Sequence, residues 1–532
     1  MDATFKFNRK IKMMVDAIIT KEDITKTVSK MKNNRSPGPD NIKAEVWKQI
    51  VKCEKILEEF VSICNNVLNT NETPNCWIIS KTRMLQKKIK PTAVDLRPIA
   101  LTNQSYKIFM SIMKDKIEEH IMKNNATNEL QTGFTKGSRV EDNLYILNYC
   151  KKESMNRKTM LALLSVDFKK AFDSIDRGML IETMKEFGIA KNIIDVIARI
   201  YSHDMTYIHL REHLVERMEI GNGIRQGCTG SSVLFKLVTY MIIMEIQKKC
   251  HGFNNEKFKI NCLLFADDSL IMEENLMRMK RTLKTTTEIS ANYGLELNKS
   301  KTKVLILHGR TDEKIIEGVE IVKELKYLGF YITNKKNIFT NQKTYSIKKA
   351  QNMCNMTYSV IERAVNKTII GKTYWKQVVL PSILYGNSIM EYTKTELDKL
   401  QVIENAVYRK ILGAASYTPV ECLRGDIGAS CMENRYYRNK LTYYRYLKTC
   451  KNDLLKEILR DMEEKKYDII EFYRTIMSKM NIKDICEETV DEIKEKVRIY
   501  DNKCWKFGMN TKSSIELYRK NKDEIPKRRR YV

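Results

Sequence analysis

The sequence predicts an α+β chain that turns all-helical after about residue 335. Three observations carry that reading. Apolar runs of strand length alternate with helical periodicity up to about residue 333. The stretch 261–272 sets apolar arms on both sides of the adjacent acids Asp267 and Asp268, the pattern of a β-hairpin with carboxylates at its tip. Beyond residue 335 strand signals thin out. There Leu397, Leu400, Ile403, Val407 and Ile411 keep helical spacing with charged residues between them.

Taken in order, residues 1 to about 30 are helical in pattern and basic, and Arg35-Ser36-Pro37-Gly38-Pro39-Asp40 breaks that pattern. Helical periodicity returns over 41–70. A basic segment runs from Lys81 to Pro98. Ile108, Ile112, Ile117 and Ile121 share one face of a helix expected over 103–123. Gln131-Thr132-Gly133-Phe134 opens a loop. Residues 161–168 form an apolar strand ending on Asp167, with a helix expected from about 170. A Gly-rich turn over 221–227 leads to an apolar helix at 231–247. The acid hairpin follows, then a helix to about 293, a strand at 303–308 and another at 324–333. Domain boundaries are expected near 335 and, more softly, near 450. The basic cluster Pro526-Lys527-Arg528-Arg529-Arg530 ends the chain on an expected mobile tail, with eight Lys or Arg against three acids between Thr511 and Val532. That tail suits sequence-independent nucleic-acid binding and nuclear import about equally.

Composition narrows the function classes. At 532 residues, 43% hydrophobic and 30% charged, the chain is globular with ample core material. A formal net charge of +28, from 94 Lys and Arg against 66 Asp and Glu, points to a polyanionic partner. Thirteen scattered cysteines with no C-x-x-C pair do not make a disulfide framework, and all six histidines lie at or before His308. A Cys/His zinc knuckle in the C-terminal third is therefore excluded. Reduced cysteines and the lack of a signal segment or an apolar run of membrane length give an intracellular expectation, nucleus and cytoplasm, with no membrane partner.

Asp167 ends a strand, and Asp267 and Asp268 cap a hairpin. A sheet that sets those strands side by side gathers three like charges, an arrangement that needs a cation. Mg²⁺ takes hard oxygen ligands, and a pair of such ions serves in-line attack at phosphorus. The alternative for Asp167 is an N-cap on the following helix.

The ordered motifs resemble a reverse transcriptase of the non-LTR (LINE-type) retrotransposon class, from about residue 20 to about 445. They are Ser36-Pro37-Gly38-Pro39-Asp40, Leu96-Arg97-Pro98-Ile99-Ala100-Leu101, Gln131-Thr132-Gly133-Phe134, Asp167-Phe168-Lys169-Lys170-Ala171-Phe172-Asp173 and Gly223-Ile224-Arg225-Gln226-Gly227. After these come Phe265-Ala266-Asp267-Asp268, Asn298-Lys299-Ser300-Lys301-Thr302, Lys326-Tyr327-Leu328-Gly329 and Leu380-Pro381-Ser382-Ile383-Leu384-Tyr385-Gly386. The resemblance implies a right-hand polymerase fold. It would comprise an N-terminal helical extension (1–30), fingers (31–160), an antiparallel-sheet palm with part of the fingers interleaved (161–335), a helical thumb (336–450) and a basic helical C-terminal region (451–532).

The resemblance also implies roles. Asp167, Asp267 and Asp268, with the Phe168 carbonyl, would hold two Mg²⁺ ions, Mn²⁺ being a substitute. Lys87 and Arg97 would grip the triphosphate, with Lys88 and Lys90 as neighbours that could replace Lys87. Phe172 would lie under the sugar and exclude a 2′-hydroxyl, unless it is plain helix packing. Gln226 and Gly227 would frame the nucleotide, and Lys301 would protonate the leaving pyrophosphate, unless it is a surface lysine. Tyr327, Leu328 and Gly329 would position the primer end. The implied partners are an RNA template, a DNA primer, the RNA–DNA duplex and dNTPs.

The sequence departs from the family at Cys228-Thr229-Gly230, where Pro and Ser are usual. About 30 residues precede the first motif, too few for an endonuclease domain. The expectation is a fragment, a decayed copy, or a polymerase with an endonuclease supplied elsewhere. The rival readings are an RNA-dependent RNA polymerase and an inactive, domesticated nucleic-acid-binding scaffold.

Overall fold

A computed structural model of the chain describes residues 11–86, 96–210, 213–522 and 525. Its contacts divide it into two units, 1–140 with 154–322, and 141–153 with 323–532. In chain order the strands of the first unit are β1 (Ile79–Gln86), β2 (Leu96–Leu101), β3 (Leu161–Val166), β4 (Met205–Leu210), β5 (His213–Glu219) and β6 (Phe253–Asn254). They continue with β7 (Lys259–Ile260), β8 (Cys262–Phe265), β9 (Asp268–Glu273), β10 (Lys303–His308), β11 (Ile315–Ile316) and β12 (Val319–Val322).

The main sheet has the order β11-β12-β10-β3-β9-β8. β3 lies at its centre, antiparallel to both β9 and β10. Its sequence, Leu-Ala-Leu-Leu-Ser-Val, has no polar alternation because neither of its faces meets water: five of its six residues are buried. The helix Ser231–Lys249 is buried on nearly every side. The helix Leu276–Asn292 buries one face (Met279, Leu283, Thr286, Ile289) against the sheet and is started by the Asn275 side chain, which accepts from the Met277 and Arg278 amides.

A second sheet, β2-β1-β4-β5, pairs β1 antiparallel with β2 and parallel with β4. The Thr82 and Thr206 hydroxyls hydrogen-bond across it at 2.7 Å. Helix Gln104–Lys123 buries Tyr106 and Phe109, and Trp77 packs on both rings. Gly38 lies flush on this helix's start. A Cβ there would overlap the Asn103 backbone, and Asn103 Oδ1 accepts the Asp40 amide at 3.2 Å.

The second unit is helical apart from the hairpin β13 (Glu324–Tyr327) and β14 (Phe330–Thr333). Capping boxes at Thr393 with Glu396 and at Thr489 with Glu492 start two of its long helices. Its interior is polar in places. Glu404 accepts from Trp375 Nε1, Arg435 and the Tyr408 hydroxyl. Asp142 accepts from Tyr443 and Tyr446, and Asp461 accepts from Tyr149.

Four expectations need correction. Residues 11–20 form no helix; the described helix is Lys21–Ser29, and side-chain amides hold the preceding backbone instead, Asn192 at Ala17 and Asn65 at Ile19. The single strand expected at 324–333 is two, because Leu328 and Gly329 take positive φ and turn the chain. The helix expected from about 170 is one turn, Ala171–Ser174, followed by Arg177–Glu186. The tail is not free up to residue 522. Trp505, Met509, Ile515 and Ile525 form a buried cluster with Tyr518 and Cys422 packed on it, while Lys512 pairs with Glu421 at 2.7 Å and Lys522 with Asp426 at 2.9 Å. The last basic cluster, Lys527 to Arg530, lies outside the described residues. Among the described residues no helix is long and apolar enough to cross a membrane.

Candidate active site

The acids come together through strand register. Val166 faces Ser269 in the β3/β9 pair. Asp167 directly follows the one and Asp268 directly precedes the other, so the two leave the paired region side by side. Asp267 sits beside them in the turn that joins β8 to β9, where Phe265 faces Asp268. The Asp268 carboxyl is raised to about 6, first by loss of hydration, then by the charges of Asp267 and Asp167. Lys301 Nζ lies 3.6 Å from Asp167 Oδ2 and supplies a nearby positive charge.

Two devices fix this arrangement. Ala266 turns the hairpin at φ +59°, a conformation that L-residues adopt reluctantly. The Gln131 side chain brackets that residue. Its Oε1 accepts the Ala266 amide at 3.2 Å and its Nε2 donates to the Ala266 carbonyl at 3.4 Å. A Cβ on Gly133 would overlap the Ala266 backbone, so only glycine fits there. The second device is the 296–302 segment. The Asp167 carbonyl accepts Asn298 N at 2.8 Å, Lys169 N donates to the Glu296 carbonyl at 2.9 Å, and Asp167 N donates to Thr302 Oγ1 at 3.3 Å. Phe168 is bridged to Leu297 between those bonds, which turns its own N–H and C=O away from that segment.

The residues expected around the nucleotide are tied together by one loop. Ile224 N donates to the Phe172 carbonyl at 2.8 Å, and the Gln226 carbonyl accepts Ala100 N at 2.7 Å. The 223–227 turn therefore links the helix after Asp167 to β2, which carries Arg97. Phe172 is half-buried, its ring stacked on Phe235 at 4.5 Å and 9°. Arg97 and Gly227 are exposed and Gln226 is half-buried. Gly227 takes φ +102° and lies against Ile99 and Ala100.

The remaining expected residues lie in the second unit or outside the described residues. Tyr327, Leu328 and Gly329 belong to the second unit. Tyr327 is buried there with its hydroxyl accepting from Asn143 at 3.0 Å, and Tyr385 donates to the Leu328 carbonyl at 3.1 Å, so Gly329 alone of the three is exposed. Lys87 lies outside the described residues, as do its neighbours Lys88 and Lys90. Sequence reasoning assigned no role to Gln131, Asp204 or Arg225. Gln131 stood in a quoted motif, but its partner is 135 residues away.

Residues 86–332 match the family model described as reverse transcriptase (RNA-dependent DNA polymerase). The chain carries a reverse transcriptase domain. The retrovirus-related Pol polyprotein from the type-1 retrotransposable element R2 of Nasonia vitripennis is 24% identical over 363 residues, covering 63% of this chain and 34% of that protein. The corresponding polyprotein from element R2DM of Drosophila melanogaster is 22% identical over 385 residues, covering 69% and 35%. The chain spans about a third of the length of these relatives. The structure of telomerase from Candida albicans in complex with the TWJ fragment of telomeric RNA aligns at 12% identity and a TM-score of 0.35, covering 78% of this chain and 69% of that one. The mixed helix and sheet of the chain fit the right-hand polymerase fold.

Reverse transcriptases generally use a divalent metal. Among the described residues no three His, Cys, Asp or Glu side chains close into a metal cage. The donor set nonetheless fits such an ion. Three carboxylates meeting at the hairpin supply hard oxygen.

Proposed function

We propose that this chain is an RNA-directed DNA polymerase that adds deoxynucleotides to a primer 3′-hydroxyl on an RNA template. The observation that carries the reading is the meeting of Asp167, Asp267 and Asp268 at one end of the palm sheet, inside the matched segment. Asp167, Asp267, Asp268 and the Phe168 carbonyl would hold two divalent ions, Mg²⁺ or in its place Mn²⁺. Bound there, such ions make the 3′-hydroxyl a better nucleophile and offset charge on the leaving group.

The chain's own residues do the rest. The 3′-hydroxyl oxygen, its proton passing to solvent, forms a bond to the α-phosphorus while the bond to the bridging oxygen breaks, and pyrophosphate departs with the electron pair. Lys301 stands close enough to the acids to give that oxygen a proton. Arg97 on β2 offsets phosphate charge. Phe172 stacked on Phe235 presents a fixed ring under the sugar and disfavours a 2′-hydroxyl by clash. The net charge of +28 suits an RNA–DNA duplex held mainly through its backbone, and an endonuclease supplied elsewhere would provide the primer end.

Primer extension on a primed RNA, with Mg²⁺ and either dNTPs or rNTPs, tests this. The wild-type chain is expected to extend with dNTPs, and Asp267→Asn to lose about a thousandfold or more while still binding the primed RNA. Preference for rNTPs would make the chain an RNA polymerase. Tight binding without extension would make it a scaffold.

A further inference from the structure

We propose that Asp204 is a positioning residue for the incoming nucleotide, acting through Arg177 and Arg225 on the 220–227 segment. The inference rests on the polymerase reading above. Asp204 is almost fully buried and accepts from two guanidiniums, Arg225 Nε on Oδ1 at 2.8 Å and Arg177 Nη2 on Oδ2 at 3.0 Å. Each arginine then spends its other donors on backbone. Arg225 donates to the Trp77 carbonyl at 2.7 Å and the Ile78 carbonyl at 2.6 Å, at the start of β1, and lies over the Tyr106 ring. Arg177 donates to the carbonyls of Gly223 at 2.8 Å, Ile220 at 2.6 Å and Tyr201 at 2.5 Å. One carboxylate thus fixes the orientation of two planar forks. Between them the forks hold both ends of the loop that carries Gln226.

The connection to the nucleotide is short. Arg225 immediately precedes Gln226, whose carbonyl accepts Ala100 N, and Arg177 grips Gly223, next to Ile224, whose amide holds the Phe172 carbonyl. A cavity of about 340 Å³ lined by Arg177, Tyr201, His203, Asp204, Ile220 and Gly221 lies behind the loop. The loop has room to move once the forks let go. Loss of the network should therefore misplace Phe172 and Gln226 without touching the acids or the basic surface.

Single-nucleotide extension on primed RNA with the full chain tests this, using Asp204→Asn and Arg177→Lys. Arg177 is 17% exposed in its side chain, so its lysine variant serves if the buried Asp204→Asn fails to fold. The expected result is a KM for dNTP raised about tenfold with kcat within about twofold, because a misplaced loop weakens ground-state and transition-state binding alike. The dNTP/rNTP selectivity should fall in step, and the Kd for primed RNA should not move. A lowered melting temperature with unchanged KM and selectivity would overturn the proposal and leave the network to stability alone. A fall in kcat at unchanged KM would overturn it too. A wild-type chain that extends no primer refutes the polymerase reading and takes this inference with it, whereas an active wild type with wild-type-like variants refutes the inference alone.

Discussion

Two carboxylate clusters in this molecule differ in whether their charge is balanced. At Glu404, in the second unit, one buried acid accepts from an arginine, a tryptophan and a tyrosine. At the first unit's hairpin three acids meet, and among the described residues the cation paired with one of them is Lys301, 3.6 Å from Asp167. The first cluster is complete within the protein and serves the fold. The second is left short of positive charge, and strain of that kind is tolerated where a ligand will supply what is missing. Asp204 belongs with Glu404 in this respect: two guanidiniums complete it, and it acts on the site through the backbone.

Neutralising one acid in each cluster gives the largest contrast. Asp268→Asn should abolish primer extension, by about a thousandfold or more, and leave the metal-free fold intact. Glu404→Ala should cost about 3–5 kcal/mol in a urea melt, because it strands Arg435 unpaired in the core. Equal stability losses in both variants would erase the distinction.

The tail sharpens it next. Truncation after Met509 should lower the melting temperature, by the equivalent of about 2–4 kcal/mol, since it strips Ile515, Tyr518 and Ile525 from Trp505. A melting curve like that of the full chain would restore the free-tail reading.

How much of this was legible depends on the range of the interactions. The acid hairpin was readable because its apolar arms and its acids are neighbours in sequence, and β3 because an unbroken apolar run announces burial on both faces. Helix Gln104–Lys123 was readable from its isoleucine spacing. The pairing of β3 between β9 and β10, and the parallel contact of β1 with β4, depend on partners more than a hundred residues apart. The same holds for Gln131, and on a smaller scale for Arg225, whose carboxylate partner is 21 residues away. The tail was misread because charge dominates its composition, while a few apolar side chains decide its packing.

Lys440 probes the rule from the other side. It is buried in the second unit, its Nζ has no hydrogen-bond partner among the described residues, and burial pushes it down to about 7. Lys440→Met should stabilise the chain, by about 1–3 kcal/mol at pH 6. The folded-state value lies below the ordinary 10.5, so the unfolded chain binds the extra proton between about 7 and 10.5 and wild-type stability climbs across that window. The advantage of the methionine variant should shrink over the same range. A constant advantage would mean that Lys440 is paired after all.

The smallest effect concerns Asp268 itself. Its folded value, about 6, lies above the ordinary 3.8, so the native state holds the extra proton between them. The stability this group contributes is complete below about pH 4 and lost as pH rises through 6. In metal-free urea melts, Asp268→Asn should gain on the wild type across that window, by about 1 kcal/mol or less after solvent screening.

A divalent cation should bind at Asp167, Asp267 and Asp268 and balance their charge. Thermal melts across a Mg²⁺ titration, with no nucleotide or RNA present, test it most directly. The wild-type melting temperature should climb with Mg²⁺, by the equivalent of about 2.7 kcal/mol at a hundred times the Kd, while Asp167→Asn stays nearly flat. A shift of equal size in both proteins would contradict the account, because Mg²⁺ would then be stabilising the chain somewhere other than at Asp167, Asp267 and Asp268.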